Sequence, residues 1–366
     1  MTAWIDGRPA DFAEAVATAA NLLREGRLPL VTGPFGDVAT TRAALDVSIL
    51  CRGVADHGDS AAAYEAISAF RDAGAFMGTP VEVRRRADLL VLVGADAVEA
   101  APALLEFLVS RAPDLGAAAT RGRRILWIGA PERLPDLRDT PVEAVPCDAA
   151  RLGEGLGAIR AALAGRRSGV GPMAEDAPAR LAAQMGAAAF GCVVFSGGSL
   201  SSLDIETLEG LVSDLNAATR FTSLPVLSDG CAWGAALLAL SRTGFPLRTS
   251  FGPGHGDHDP ILFEGARLLE SGEADVALFV SARPQDEEPA WSGSLPVIAL
   301  SRGAKAWARP PRVAFAPRDG AGGAVYDPLF GSFRPADVQG NAPSGGVSAA
   351  AILGAIAGRL RAEEGA

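Results

Sequence analysis

Apolar positions along the chain alternate between two spacings. Residues 13–24 repeat at helical intervals, and a short apolar run at 28–32 follows with the character of a strand. The same alternation predicts helices at 40–52 and 60–73 around a short strand at 53–56. The run Asp88-Leu89-Leu90-Val91-Leu92-Val93-Gly94 is the clearest strand of this part. A continuous aliphatic run suits a parallel strand that helices cover on both faces. A helix at 101–111, strands at 124–129 and 142–145, and a helix at 149–164 follow. Residues 165–178 are rich in glycine, arginine, serine and proline and read as a link. The pattern then restarts, with strands at 191–195, 221–227, 274–281 and 295–300 and helices at 204–217 and 230–241. Residues 317–346 are dense in glycine, proline, aspartate and serine and read as a long loop, and a helix at 347–361 closes the chain.

Helices alternating with apolar strands imply βαβ units, parallel sheets and right-handed crossovers. The expected fold is α/β, with two doubly wound, Rossmann-like lobes at 1–165 and 166–308. A C-terminal extended segment and helix, 309–366, is expected to pack back on them.

Composition narrows the function classes. With 366 residues, 49% of them hydrophobic, the chain can bury two sizeable cores. Its net charge of -10 argues against nucleic acid, whose binding needs a basic stripe. Lysine occurs once, at Lys305, so arginine carries the remaining positive charge; coding bias accounts for this without any binding role. The four cysteines, Cys51, Cys147, Cys192 and Cys231, lie far apart and form no CxxC pair. A sequence-local zinc or iron–sulfur framework is therefore not expected, and each thiol reads as a small buried apolar residue. Residues 1–12 have no basic stretch leading into an apolar run, so no signal peptide is expected. No apolar run reaches the roughly 18 residues of a membrane span. No membrane association and a cytoplasmic location are the expectations.

Candidate binding residues follow from position. Ligands of doubly wound sheets bind beyond the C-terminal strand ends. Those ends carry Gly33 and Gly36, then Gly94 and Asp96, then Ser196-Gly197-Gly198-Ser199. The last group precedes a helix, so its N–H groups suit an anion, although glycine-rich turns also simply permit tight strand-to-helix connections. No GxGxxG opens a helix, no GxxxxGK[ST] is present, and no GxSxG elbow occurs. His255 and His258 lie in the polar run Gly254-His255-Gly256-Asp257-His258-Asp259. Imidazole and carboxylate together suit zinc or acid–base work, but no third ligand stands at a fixed spacing, and the run also suits a plain turn or a ligand-facing loop. A Cys51–His57 nucleophile pair has nothing to orient it. No catalytic residue and no metal ligand are assigned.

The segment Arg84-Arg85-Arg86-Ala87-Asp88 through Gly94-Ala95-Asp96 is similar to the "RAD, strand, GxN" segment of the family of formylmethanofuran dehydrogenase B subunits. Thr243-Gly244-Phe245-Pro246 through Ser250-Phe251-Gly252-Pro253-Gly254 resembles that family's "tGyP…dFsrG.P" stretch, and Leu268-Leu269 with Ala274-Asp275-Val276-Ala277 its "dlL…evDa" segment. Leu215-Asn216 with Thr219-Arg220 also fits. The order of these motifs resembles the shortened branch of the family, found in the formyltransferase/hydrolase complex of methylotrophic bacteria. Asp96 stands where asparagine is frequent, and residues 1–28 hold none of the clustered cysteines of the redox members.

The resemblance implies lobes like the central domains of molybdopterin oxidoreductases, without the iron–sulfur domain. It implies a non-catalytic structural subunit in tetrahydromethanopterin-dependent oxidation of formaldehyde to formate. Amidohydrolase-like, glutamate-synthase-like and formyltransferase subunits are then the expected partners. No cofactor is expected in the chain itself, and a methanofuran-like furan carrier is the expected contact. The alternative is an enzyme with a vestigial pterin or nucleotide cleft between the lobes.

Overall fold

The aliphatic run at 88–94 forms the strand Leu89–Val93, whose five residues are all buried. It is the middle of a five-stranded sheet, and a computed structural model describes the chain at residues 3–99, 101–167, 169, 171–226, 230–281, 288–317, 323–335 and 347–364. Across that sheet the strands run Val142–Val145, Arg124–Ile128, Leu89–Val93, Gly191–Ser196 and Phe221–Val226. Every neighbouring pair is parallel. Leu90 and Leu92 pack with Trp127, Val194 and the helix residues Val83, Leu105 and Leu108. Leu89, Val91 and Val93, on the other face, are equally sealed. Burying a leucine of this kind stabilises the fold by about 1.5–3 kcal/mol relative to leaving it exposed.

A second, nine-stranded sheet contains Asp257–His258, Thr249–Ser250, Val54–Ala55, Pro29–Phe35, Val276–Ser281, Val297–Leu300, Val313–Phe315, Ala3–Ile5 and Arg8–Ala10, in that order. Its five central strands are parallel. Antiparallel strands of two or three residues close both edges. The terminal helix Ala349–Glu364 packs on the helices Val38–Leu50 and Phe12–Glu25 through Ile352, Leu353, Ile356 and Leu360.

The chain is thus α/β, with one parallel and one mixed sheet. Its two compact units are discontinuous: Met1–Ser60, Gly230–Tyr326 and Phe333–Ala366 form the first, and Ala61–Asp229 with Asp327–Ser332 form the second. This departs from the boundaries expected at 165 and 308. The glycine- and proline-rich stretch near 165–178 joins two parts of one unit. Gly191–Ser196 pairs with Leu89–Val93 along its whole length. The expected long loop at 317–346 holds a two-stranded sheet of Ala324–Asp327 and Ser332–Pro335, while 318–322 and 336–346 lie outside the described residues.

Candidate functional site

In the five-stranded sheet the chain order reverses between Leu89–Val93 and Gly191–Ser196. At such a reversal the connecting helices leave to opposite faces and open a crevice beyond the C-terminal strand ends. The residues there are Gly94, Ala95 and Asp96 on one side and Ser196 to Ser199 on the other. Six of the residues singled out from sequence are therefore brought together.

Their geometry differs from an anion cradle. Ser199 Oγ donates to Asp96 Oδ1 at 2.6 Å. The Gly198 N–H is already held by Ser196 Oγ at 3.1 Å. Asp96 Oδ2 lies 3.1 Å from the position of a Cβ on Gly198 and takes no hydrogen bond among the described residues. A carboxylate with a free acceptor oxygen repels anions and receives donors such as hydroxyl, ammonium or amide N–H groups. Gly94 has φ +81°, and a Cβ on it would lie 2.8 Å from both Asp96 Oδ1 and Ser199 Oγ. A Cβ on Gly197 would overlap the Ala62 carbonyl oxygen. These glycines let the loops close on each other.

In the nine-stranded sheet the parallel order reverses between Pro29–Phe35 and Val276–Ser281. Gly33, expected at a turn, lies inside the strand, with φ +117°. A Cβ there would overlap the Val280 carbonyl oxygen. Its role is close approach of two backbones at the register shift between Phe279 and Ser281. Gly36 follows the strand end, and Asp37 next to it caps the helix Val38–Leu50 by accepting the Thr40 N–H at 2.8 Å. Residues 282–287, across the reversal, lie outside the described residues.

The two loop histidines behave differently. His255 is exposed. His258 sits in the edge strand, donates from Nδ1 to the Arg248 carbonyl at 3.0 Å, and stacks on Phe245 at 6.2 Å between centroids. Its ring braces a hairpin. Among the described residues no three His, Cys, Asp or Glu side chains are grouped to hold a metal. Cys51 donates its thiol to the Ser48 carbonyl, and burial pushes its pKa up to about 12, the reverse of an activated nucleophile.

Over 284 residues the chain is 32% identical to the B subunit of the formyltransferase/hydrolase complex Fhc of Methylorubrum extorquens, covering 78% of this chain and 75% of that protein. The chain belongs to the family of Fhc B subunits. A chain in the crystal structure of the formyltransferase/hydrolase complex (FhcABCD) from Methylorubrum extorquens, in complex with methylofuran, superposes with a TM-score of 0.87 at 30% identity, covering 100% of both chains. The B subunit of tungsten-containing formylmethanofuran dehydrogenase 2 of Methanocaldococcus jannaschii is 27% identical over 76% of this chain and 66% of its own length. No protein-family model matches.

The polar feature that sequence reasoning missed lies at the C-terminal end of Val54–Ala55. Asp56, 2% exposed, accepts the His57 N–H at 2.9 Å and the Gly265 N–H at 2.8 Å. The Arg248 guanidinium stands 3.7 Å away and also reaches Glu264 at 2.9 Å and the Pro260 carbonyl at 2.7 Å. Burial pushes the Asp56 carboxyl up to about 6, against the pull of Arg248. His57 is 1% exposed, accepts the Asp59 N–H on Nδ1, and meets the edge of Phe35. The run Asp56-His57-Gly58-Asp59-Ser60 after a small apolar strand was the available signal. In this member of the Fhc B family the cluster ties three loops of one unit together.

Proposed function

We propose that the chain is a structural subunit of a formyltransferase/hydrolase complex, that it has no reaction centre of its own, and that it helps hold the furan carrier. The observation that carries this reading is the full-length superposition on a chain of FhcABCD at 30% identity. That complex was solved with methylofuran, which makes a furan carrier the ligand to test. The sheet with chain order reversing at its centre supports a Rossmann-like reading of the second unit, and the dehydrogenase relative supports kinship with molybdopterin oxidoreductases. Amidohydrolase-like, glutamate-synthase-like and formyltransferase subunits are the proposed partners, in the cytoplasm. Among the described residues no helix is long and apolar enough to cross a membrane.

The chemistry assigned to this chain is positional. Asp96 Oδ2 accepts a hydroxyl, amide or ammonium proton of the carrier, and Ser199 holds the carboxylate in place through Oδ1. A tungsten or iron–sulfur centre of the dehydrogenase kind does not fit the thiols described. Cys51 is buried in the first unit and Cys192 in the second, neither they nor Cys147 belongs to a group of three metal-ligating side chains among the described residues, and burial pushes Cys192 up to about 12. The test is purification of the tagged chain from its host. Formyltransferase and hydrolase activity should copurify, with no stoichiometric tungsten, molybdenum or iron in the separated chain. Asp96→Asn should weaken carrier binding by about tenfold, roughly 1.4 kcal/mol, without changing assembly. A chain that purifies alone, or one carrying stoichiometric metal, overturns the reading.

A further inference from the structure

At the opposite, N-terminal ends of the parallel strands, the second unit holds a cavity of about 650 Å³. Phe76, Met77, Leu115, Phe190, Arg86 and Arg220 line it. Phe76 is 51% exposed, Met77 47% and Leu115 39%. Large apolar side chains gathered at one mouth mark a surface that something covers.

The backbone there is an unfinished sheet edge. Met77 forms a parallel bridge with Ser223 of Phe221–Val226. The Ser223 N–H donates to the Phe76 carbonyl at 3.0 Å, and the Gly78 N–H donates to the Ser223 carbonyl at 2.9 Å. In this pattern the N–H and C=O of Met77 itself point away from the sheet. Neither makes a hydrogen bond among the described residues. The edge is also preformed. The Phe76 N–H is held by the buried Glu209 carboxylate at 3.3 Å, and Thr79 caps the helix Pro80–Arg86 by accepting the Glu82 N–H. A Cβ on Gly78 would lie 2.8 Å from Thr222 Oγ1, so glycine permits this close approach.

The charge is cationic. Arg86 pairs with Glu82 at 3.1 Å and lies 5.9 Å from the centroid of Phe190. Arg220 is exposed and has no carboxylate partner among the described residues. An unpaired guanidinium in a chain of net charge -10 selects an acidic visitor.

We propose that an extended, acidic segment of a partner subunit docks here. Its backbone adds to the sheet edge at Met77, its apolar side chains enter the cavity, and a carboxylate meets Arg220. The open edge favours a polypeptide over a small anion, because main-chain pairing is what an edge offers. Strand addition across a two-fold axis would bring two cationic rims together, which disfavours a second copy of this chain. The inference rests on the reading of the chain as one component of a complex.

The experiment uses the complex purified with all its subunits. A photoreactive benzoylphenylalanine at Met77 should crosslink to one partner subunit, within a segment containing Asp or Glu beside aliphatic or aromatic residues. Phe76→Ser with Arg220→Glu should lower the yield of assembled complex by about tenfold, while the melting temperature of the separated chain stays within a few degrees. Crosslinking within this chain or to a second copy, or equal assembly of the variant, overturns the proposal. A wild-type chain that copurifies with nothing overturns the functional reading instead.

Discussion

Replacing Arg248 by methionine tests the buried network at Asp56. Arg248 is 7% exposed, and its guanidinium is the countercharge for a carboxyl that is 2% exposed. The variant keeps the two backbone donors on Asp56, from His57 and Gly265, but leaves the charge unpaired. Removing one partner of a buried pair costs about 3–5 kcal/mol. Protonation caps that loss. With the guanidinium gone, the Asp56 carboxyl rises further above its present value of about 6 and takes up a proton at neutral pH. Relative to the wild type, whose carboxyl already lies at about 6, holding that proton costs about 1.4 kcal/mol per pH unit above 6. This limits the loss through Asp56 to about 2 kcal/mol at pH 7.5 and to almost nothing at pH 5, where the wild-type carboxyl already holds its proton.

The same logic fixes the sign for the wild type. A raised carboxyl means that the folded state binds the proton between about pH 4 and pH 6 while the unfolded state has lost it. The Asp56 contribution to stability is full below the unfolded pKa and is lost as pH rises through the folded one. Urea denaturation of the full chain, followed by tryptophan fluorescence at pH 5 and pH 7.5, measures both effects. Arg248→Met should lose about 2 kcal/mol more at pH 7.5 than at pH 5, where the loss comes from the hydrogen bonds to Pro260 and Glu264. Adding Asp56→Asn should recover part of the loss at the higher pH, because no unpaired charge remains. A loss under about 1 kcal/mol at pH 7.5, or a larger loss at pH 5, refutes the argument.

Gly94→Ala forces a Cβ onto Asp96 and Ser199 at a φ of +81° and should cost about 1–3 kcal/mol in the same denaturation assay. His255→Ala should leave stability unchanged because the ring is exposed, whereas His258→Ala, which removes the brace to the Arg248 carbonyl, should cost about 1 kcal/mol, with hydrolysis by the complex falling less than about tenfold for either. Phe333 meets Tyr326 at 5.5 Å and Phe330 meets Phe107 at 6.2 Å, so replacing both with serine should lower the melting temperature of the isolated chain; unchanged melting with lost assembly would assign these rings to a partner instead.

The strands at 88–94 and 274–281 were legible because each is buried on both faces and so needs apolar residues without interruption. Their sheet partners were not legible. Nothing local to Gly191–Ser196 says that it pairs with Leu89–Val93 rather than with Val276–Ser281, since all three are short aliphatic runs. The short antiparallel strands Ala3–Ile5 and Thr249–Ser250, each next to an edge, are too short to carry a period. Gly33-Pro34-Phe35-Gly36 read as a turn because glycine and proline punctuate chains. In the structure a bulge absorbs them: four residues, Thr32 to Phe35, face three, Phe279 to Ser281, so proline's missing N–H falls where the ladder is already interrupted. The chemistry of the loop at 196–199 was hard to read for a similar reason. Ser-Gly-Gly-Ser before a helix suits an anion until Asp96, 103 residues earlier, is placed against it. Yet the two loops do meet in the structure. A reversal of chain order lies in the interior of a sheet, and interior strands are the ones whose burial on both faces makes them readable. The loops at their C-terminal ends can therefore be picked from sequence even when the sheet to which each strand belongs cannot.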